Sequence, residues 1–123
     1  GAIYAKHILA NHKDPKIGIL WQNDDSGKDY VGGFMNGLGK QNEKLVVSSV
    51  SYEVTDPTVD SQIIQIKSSG ANIVFIETAP KAASQAIRKI GDLGWVPVRY
   101  LANVSASVAA VPVMPASLPY MRK

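Results

Sequence analysis

The sequence predicts a doubly wound α/β domain built on a parallel sheet. The stretch Ile17 to Tyr30 carries the first reason. Ile17-Gly18-Ile19-Leu20 is a short apolar run suited to a buried strand. Asn23-Asp24-Asp25-Ser26-Gly27 then supplies residue types that make turns and helix N-caps. Val31, Phe34, Met35 and Leu38 follow at the spacing of a single helical face. The second reason is recurrence: strand, short polar loop and amphipathic helix alternate along the chain, which is the pattern of βαβ units. The third is composition, since 46% hydrophobic residues in a 123-residue chain are enough for a real core.

Taken in order, residues 2–10 combine Ile3, Ile8 and Leu9 with alanines and Tyr4, a short helix. Asn11 to Pro15 ends it, because a proline disfavours helical geometry in the residue before it. A first strand is expected at 16–21 and a second helix at 28–40. Gly32, Gly33, Gly37 and Gly39 weaken that helix by ~1 kcal/mol each relative to alanine, and close packing on a sheet is the expected reason for them. Residues 44–53 are rich in β-formers and give the second strand. A helix follows at 59–69 with Val59, Ile63 and Ile66 on its apolar face and Gly70 as its C-terminal cap. The third strand spans 72–76. Pro80 opens the next helix, 81–93, with Ala83, Ala86, Ile87 and Ile90 on one face and Gly94 at its end. The fourth strand is 98–102. Right-handed crossovers restrict the topology, and the expected strand order is 2-1-3-4. Residues 1–110 are expected to form a single α/β unit, and 111–123, with Pro112, Pro115 and Pro119 and no periodicity, an irregular tail.

Composition narrows the function. The chain carries a formal charge of +3, with its basic residues scattered and not interleaved with aromatics, so nucleic acid is not an expected partner. A charged fraction of only 19% suggests that part of the surface is normally covered. There is no cysteine, which removes disulfides, thiolate metal sites and cysteine nucleophiles. No apolar run is long enough to span a bilayer. Opening on Gly1-Ala2-Ile3, the sequence reads as an excised or processed piece.

In a sheet of this kind ligands bind beyond the carboxyl ends of the strands. Three loops are expected there: 23–27, 77–80 and 103–105. They bring Asn, Asp, Ser, Thr and Glu beside helix N-termini, whose free amides favour anions, a set suited to a carboxylate. The same residues serve equally well as ordinary caps and turns. Trp21 stacks on a ligand or, more in keeping with its place at a strand end, fills the edge of the core. Asp24-Asp25 invites comparison with the acidic pair of a phospho-receiver, but the second strand ends in Ser51-Tyr52-Glu53 and the loop after the last strand, 103–105, holds no lysine. His7 and His12 have no ligand-spaced partners, and neither G-x-S-x-G nor a phosphate-binding P-loop occurs. No metal or cofactor is called for, and the residues point to binding without catalysis.

The run Asn23-Asp24-Asp25-Ser26-Gly27-Lys28-Asp29-Tyr30 after Ile17-Gly18-Ile19-Leu20 resembles the N-D-D-Y/F-G-K-D-Y segment of periplasmic substrate-binding proteins of branched-chain amino-acid-type ABC transporters. Tyr52-Glu53 with Asp56 to Gln62, Lys67 to Asn72, and Gln85 to Lys89 leading to Leu93-Gly94-Trp95 extend the resemblance across residues 2–110. It implies a Rossmann-like three-layer α/β/α sandwich with a mainly parallel sheet, one lobe of a type I periplasmic binding protein, here most of the second lobe. It further implies a periplasmic location, an ABC permease as partner, no enzymatic activity, and hinged closure of two lobes on a small amino acid or organic acid. The lobe's exposed cleft and hinge surfaces would also allow self-association. Carried over by position, the ligand-binding residues on this side are Trp21, Asn23, Ser26, Glu77, Ala79 and Asn103. Where amino-acid-binding members of that family carry an aromatic residue, this chain has Ser26 and Ala79. Where they carry an acid for the ligand ammonium, it has Asn103. These departures disfavour a leucine-type ligand and leave room for a bulkier aromatic or other organic acid. The alternatives are a ligand-sensing receptor domain of the same fold and a receiver-like signalling domain.

Overall fold

Four parallel strands, each followed or preceded by a helix, build the centre of the molecule. The computed structural model describes residues 2–103 and 111–113. The elements run α1 (Ala2–Asn11), β1 (Ile17–Gln22), α2 (Asp25–Leu38), a 3-10 turn (Lys40–Leu45), β2 (Val46–Tyr52), α3 (Asp60–Ser68), β3 (Ile73–Thr78), α4 (Pro80–Asp92), β4 (Val98–Asn103) and β5 (Val111–Val113). The sheet order is β2-β1-β3-β4-β5, so the first four strands stand in the expected order. β1, β2, β3 and β4 are parallel, and β5 runs antiparallel to β4.

Side-chain alternation along the strands separates two cores. Ile17 and Ile19 of β1, Ile73 and Phe75 of β3, and Tyr100 and Ala102 of β4 meet α1 and α2 through Tyr4, Ala5, Ile8, Phe34 and Leu38. Leu20, Val74 and Ile76 face the other way, onto α3 and α4, where Ile63, Ile66, Ala82, Ala86 and Ile90 cover them. This is the α/β/α sandwich that the alternating pattern implies, with every residue of β3 buried. Parallel sheets need such covering on both faces. Phe75 anchors the first core, stacked on Phe34 at 4.8 Å between centroids and tilted against Tyr4 at 5.7 Å.

The boundaries differ from the sequence expectation where a local bond decides them. α2 begins at Asp25, three residues early, because the Asp24 carboxylate accepts from the Gly27 amide at 2.7 Å and so caps the helix before the polar run is over. β2 begins at Val46, since residues 40–45 coil into a 3-10 turn first. β5 corrects the expectation of a wholly irregular tail from residue 111. Pro112, in register with Tyr100, is tolerated there because β5 is an edge strand, where a missing amide donor can face away from the sheet. The remaining tail residues, 114–123, lie outside the described residues. Gly70 and Gly94 close α3 and α4 with φ of 87° and 66°, backbone that side-chain-bearing residues rarely adopt. Gly32, expected to let α2 pack closely on the sheet, instead faces open space.

Loop positions are held by a few polar ties. Asn72 accepts from the Lys16 amide at 2.8 Å and donates to the Asp14 carbonyl at 3.3 Å, fixing the turn ahead of β1. His12 Nε2 and the Tyr100 hydroxyl lie 2.6 Å apart, joining the end of α1 to β4. Between β1 and α3 the approach is close at Gly18, where a Cβ would lie 2.3 Å from Ile66 Cγ2 and 3.3 Å from Ala71 Cβ. Gly18→Ala therefore overpacks the contact between β1 and α3, and should lower the unfolding free energy by about 1–3 kcal/mol, read as a fall in urea midpoint at unchanged slope.

Candidate functional site

The C-terminal ends of β1, β2, β3 and β4 lie along one edge because the strands are parallel and in register. The last residues fall into two rows by register. Trp21, Glu77 and Ala102 are neighbours across β1, β3 and β4 on the α1/α2 side. One residue further, Gln22 pairs with Tyr52 and Thr78 with Asn103.

A continuous hydrogen-bonded relay ties three strand-end loops together. The Ala79 amide, at the start of α4, donates to the Tyr52 hydroxyl at 3.1 Å. Tyr52 donates to Gln22 Oε1 at 2.8 Å. Gln22 Nε2 donates to Asp24 Oδ2, and Asp24 Oδ1 accepts from Gly27 N. The Asp24 carboxyl is held below the usual carboxylate range, first by the Gly27 amide and then by Gln22. Burial pushes the Tyr52 phenol upward, so it stays a hydroxyl and keeps its donor role. Beside the relay, Asn23 Nδ2 donates to Glu53 Oε2 at 2.6 Å, and its amide donates to the Tyr52 carbonyl at 2.9 Å.

A cavity of about 160 Å³ opens on the α3/α4 side of this edge, lined by Gln22, Tyr52, Asp56, Ala79, Lys81 and Gln85 among others. Gln22, Tyr52 and Ala79 of the relay line it on one side, and Lys81, Ala82 and Gln85 of α4 on another. Lys81 is exposed and brings an ammonium group to the rim. Hydroxyl, amide and ammonium groups around a partly apolar wall suit a small polar solute; Lys81 would meet an anionic end of it, while the Asp56 carboxylate, which accepts from the Glu53 amide at 2.9 Å, stands on the same lining.

The expected site residues are distributed unevenly around this edge. Ala79 lines the cavity. Asn23 and Ser26 are exposed in the first loop and the first turn of α2. Trp21 packs on the α1/α2 side, where its Nε1 donates to Ser49 Oγ at 3.2 Å, in line with its reading as a core-edge residue. Asn103 ends β4 in register with Thr78, while the loop residues Val104 and Ser105 lie outside the described residues. Glu77 does not reach the exposed edge: it is fully buried on the α1/α2 side, because strand alternation turns it away from the cavity. Burial, followed by the charge of Asp24, pushes its carboxyl up to about 8. The sequence reading missed Gln22, Tyr52, Lys81 and Gln85. Register would have found the first two, since Gln22 and Tyr52 are the last paired residues of adjacent strands.

Asp24 spends both carboxylate oxygens on the cap and the relay, and Asp25 sits exposed in the first turn of α2. Neither arrangement favours the receiver-like reading. Among the described residues, no group of three His, Cys, Asp or Glu side chains is gathered as for a metal ion.

No protein-family model matches the sequence, and no curated protein matches it. Several solved structures share the fold. An extracellular ligand-binding receptor from Rhodopseudomonas palustris HaA2 matches with a TM-score of 0.68 at 21% identity, over 80% of this chain and 27% of that one. An ABC-transporter solute-binding protein from R. palustris, solved with 4-hydroxybenzoate, matches with a TM-score of 0.66 at 20% identity, over 76% of this chain and 25% of that one. A type 1 periplasmic binding protein from Bordetella pertussis Tohama I gives 0.65 at 15% identity, over 76% of this chain and 24% of that one. The chain thus has the fold of one lobe of a type I periplasmic binding protein, and it spans about a quarter of the length of these structures.

The relay makes a stability prediction. Tyr52→Phe leaves the Ala79 amide and Gln22 Oε1 without their partner, and should cost about 1–3 kcal/mol in urea unfolding. Ser26→Ala, on the exposed turn, should stay within about 0.5 kcal/mol of the unsubstituted chain.

Proposed function

We propose that this chain is a ligand-binding lobe of a solute-binding protein that serves an ABC importer, and that it binds its solute without transforming it. The observation that carries the reading is the edge itself. Parallel strands deliver three polar loops and a small cavity to the side of the sheet where α/β folds bind ligands. The fold likeness to solute-binding proteins supports it.

The solute we favour is a small organic acid, aromatic in preference to leucine-like. Ser26 and Ala79 leave space where bulk would otherwise stand, and Lys81 offers a counter-charge to a carboxylate. That one similar protein holds 4-hydroxybenzoate makes this acid a natural first probe. Asn23, Ser26, Ala79 and Asn103 would line this half of the cleft, with Trp21 and Glu77 supporting it from the α1/α2 side. A second lobe would close over the solute, in a periplasmic setting with a membrane permease as partner. Within the described residues, no helix is long and apolar enough to cross a membrane.

The test is calorimetric titration of the chain with 4-hydroxybenzoate, benzoate and leucine. Half a cleft should bind the aromatic acids with a Kd of about 1 mM, roughly 4 kcal/mol, and leucine more weakly. Lys81→Ala should weaken the aromatic acids several-fold. Tighter binding of leucine than of either aromatic acid, or equal affinity after Lys81→Ala, would overturn the substrate assignment.

A further inference from the structure

Glu77 is an unusual residue for the centre of this fold. It sits on β3, the most buried strand, with zero solvent exposure. Among the described residues neither of its carboxyl oxygens has a hydrogen-bond partner. An ionised carboxylate in such a place loses its hydration and receives nothing in exchange, whereas the neutral acid loses far less. The carboxyl lies against the first turn of α2, since a Cβ on Gly27 would come within 3.3 Å of Glu77 Oε1.

The groups around it leave the charge poorly compensated. From the first loop comes Asp24, whose negative charge opposes ionisation of Glu77. From α2 comes Tyr30 and from β2 comes Tyr52, two phenols on which the Glu77 charge acts in turn. α1 contributes Tyr4, stacked on Tyr30 at 6.3 Å between centroids. The flanking strands place Trp21 and Ala102 in register with Glu77, neither of them titratable. The N-terminal dipole of α2 favours an anion, but Lys28, in that same turn, acts on Asp24.

We propose that Glu77 is a proton-dependent latch beneath the strand-end loops: protonated, it lets the first turn of α2 and the relay settle over it, and ionised, it drives them apart. Asp24 is the link. It caps α2 at Gly27 and receives the Gln22 amide, and through Gln22 and Tyr52 it is joined to the Ala79 amide at the head of α4. A new negative charge acting on Asp24 pushes on the residue that joins the α2 end of that chain of bonds to Gln22. Gly27 has no slack to absorb the push, since it already packs so closely on the Gln22 carbonyl that an added Cβ would lie 1.9 Å from it. The relevance of this latch to solute uptake rests on the proposed function, because the loops it governs are those assigned to the solute. Its existence does not, and it is tested without any ligand.

The sign of the effect follows from where the proton sits. The folded chain holds the Glu77 proton more tightly than the unfolded chain, so the stabilisation is complete below about 4.5 and is lost as pH rises toward about 8. The experiment is a pH titration of the ligand-free chain by carbon-detected NMR of the glutamate carboxyls, with Glu77 assigned by its loss in Glu77→Gln, alongside amide spectra. The expected result is a Glu77 carboxyl midpoint near 8, with the Gly27 and Ala79 amides shifting at the same midpoint. Glu77→Gln should abolish that shared titration. Asp24→Asn, which keeps a capping oxygen and removes the charge, should lower the Glu77 midpoint, and it stands as the second variant if Glu77→Gln does not fold. A Glu77 midpoint in the ordinary carboxyl range would overturn the proposal. So would a high midpoint that leaves the Gly27 and Ala79 amides unmoved.

Discussion

β1 is hydrogen-bonded to a parallel neighbour on each side and covered by helices on both faces, and the other elements arrange themselves around that position. A strand placed there must carry apolar side chains in both directions, which Ile17, Ile19 and Leu20 do with no solvent exposure. It must also admit a helix at close range, which Gly18 does beneath Ile66. Parallel pairing to β2 and β3 then forces each connection across a face of the sheet, so that α2, α3 and α4 are consequences of the pairing as much as of their own patterns. The same constraint sends every strand out of the sheet at one edge. The functional geography of the lobe is set by that direction.

What happens at the edge is a change from packing to hydrogen bonding within one step of the strand's alternation. Leu20 and Ile76 are core, while Gln22 and Thr78, two positions on, are polar and still buried. Such groups need partners. Gln22 finds Tyr52 and Asp24, and these in turn engage the heads of α4 and α2. The loops are therefore not independent ornaments on a scaffold but are joined by one shared set of bonds. Glu77 breaks the pattern, being buried at the same level on the opposite face with no hydrogen-bond partner among the described residues. A rigid relay on one side and an unsatisfied acid on the other give this edge both order and a reason to respond to its surroundings.

Much of this was legible in the sequence, and for identifiable reasons. The apolar runs at Ile17–Leu20 and Ile73–Ile76 are too short for helices and too apolar for loops, and the face of Phe34 and Leu38 has the helical period. The strand order follows from crossover handedness together with those elements. Boundaries moved where one side chain competed with the pattern, as Asp24 did by capping α2 early. The site was legible as an edge but not as a set of residues. Choosing loop residues by position placed Glu77 in the cleft, whereas the two-residue alternation of β3 turns it inward. Tyr52 looked like a strand residue because it is one, and only its register opposite Gln22 reveals that its hydroxyl bridges two loops. Pro112 hid β5, since a proline in a three-residue strand gives no periodic signal.

On the proposed function, the solute meets this lobe at the carboxyl edge of the sheet. Amide chemical-shift mapping of the isotopically labelled chain with 4-hydroxybenzoate tests it most directly, because it reports location and not only affinity. Saturable shifts are expected, confined to residues 22–27, 52–56 and 78–85, with the opposite edge around His12 and Asn72 unchanged. Saturable shifts centred on that opposite edge, or on the outer face of α1, would contradict it.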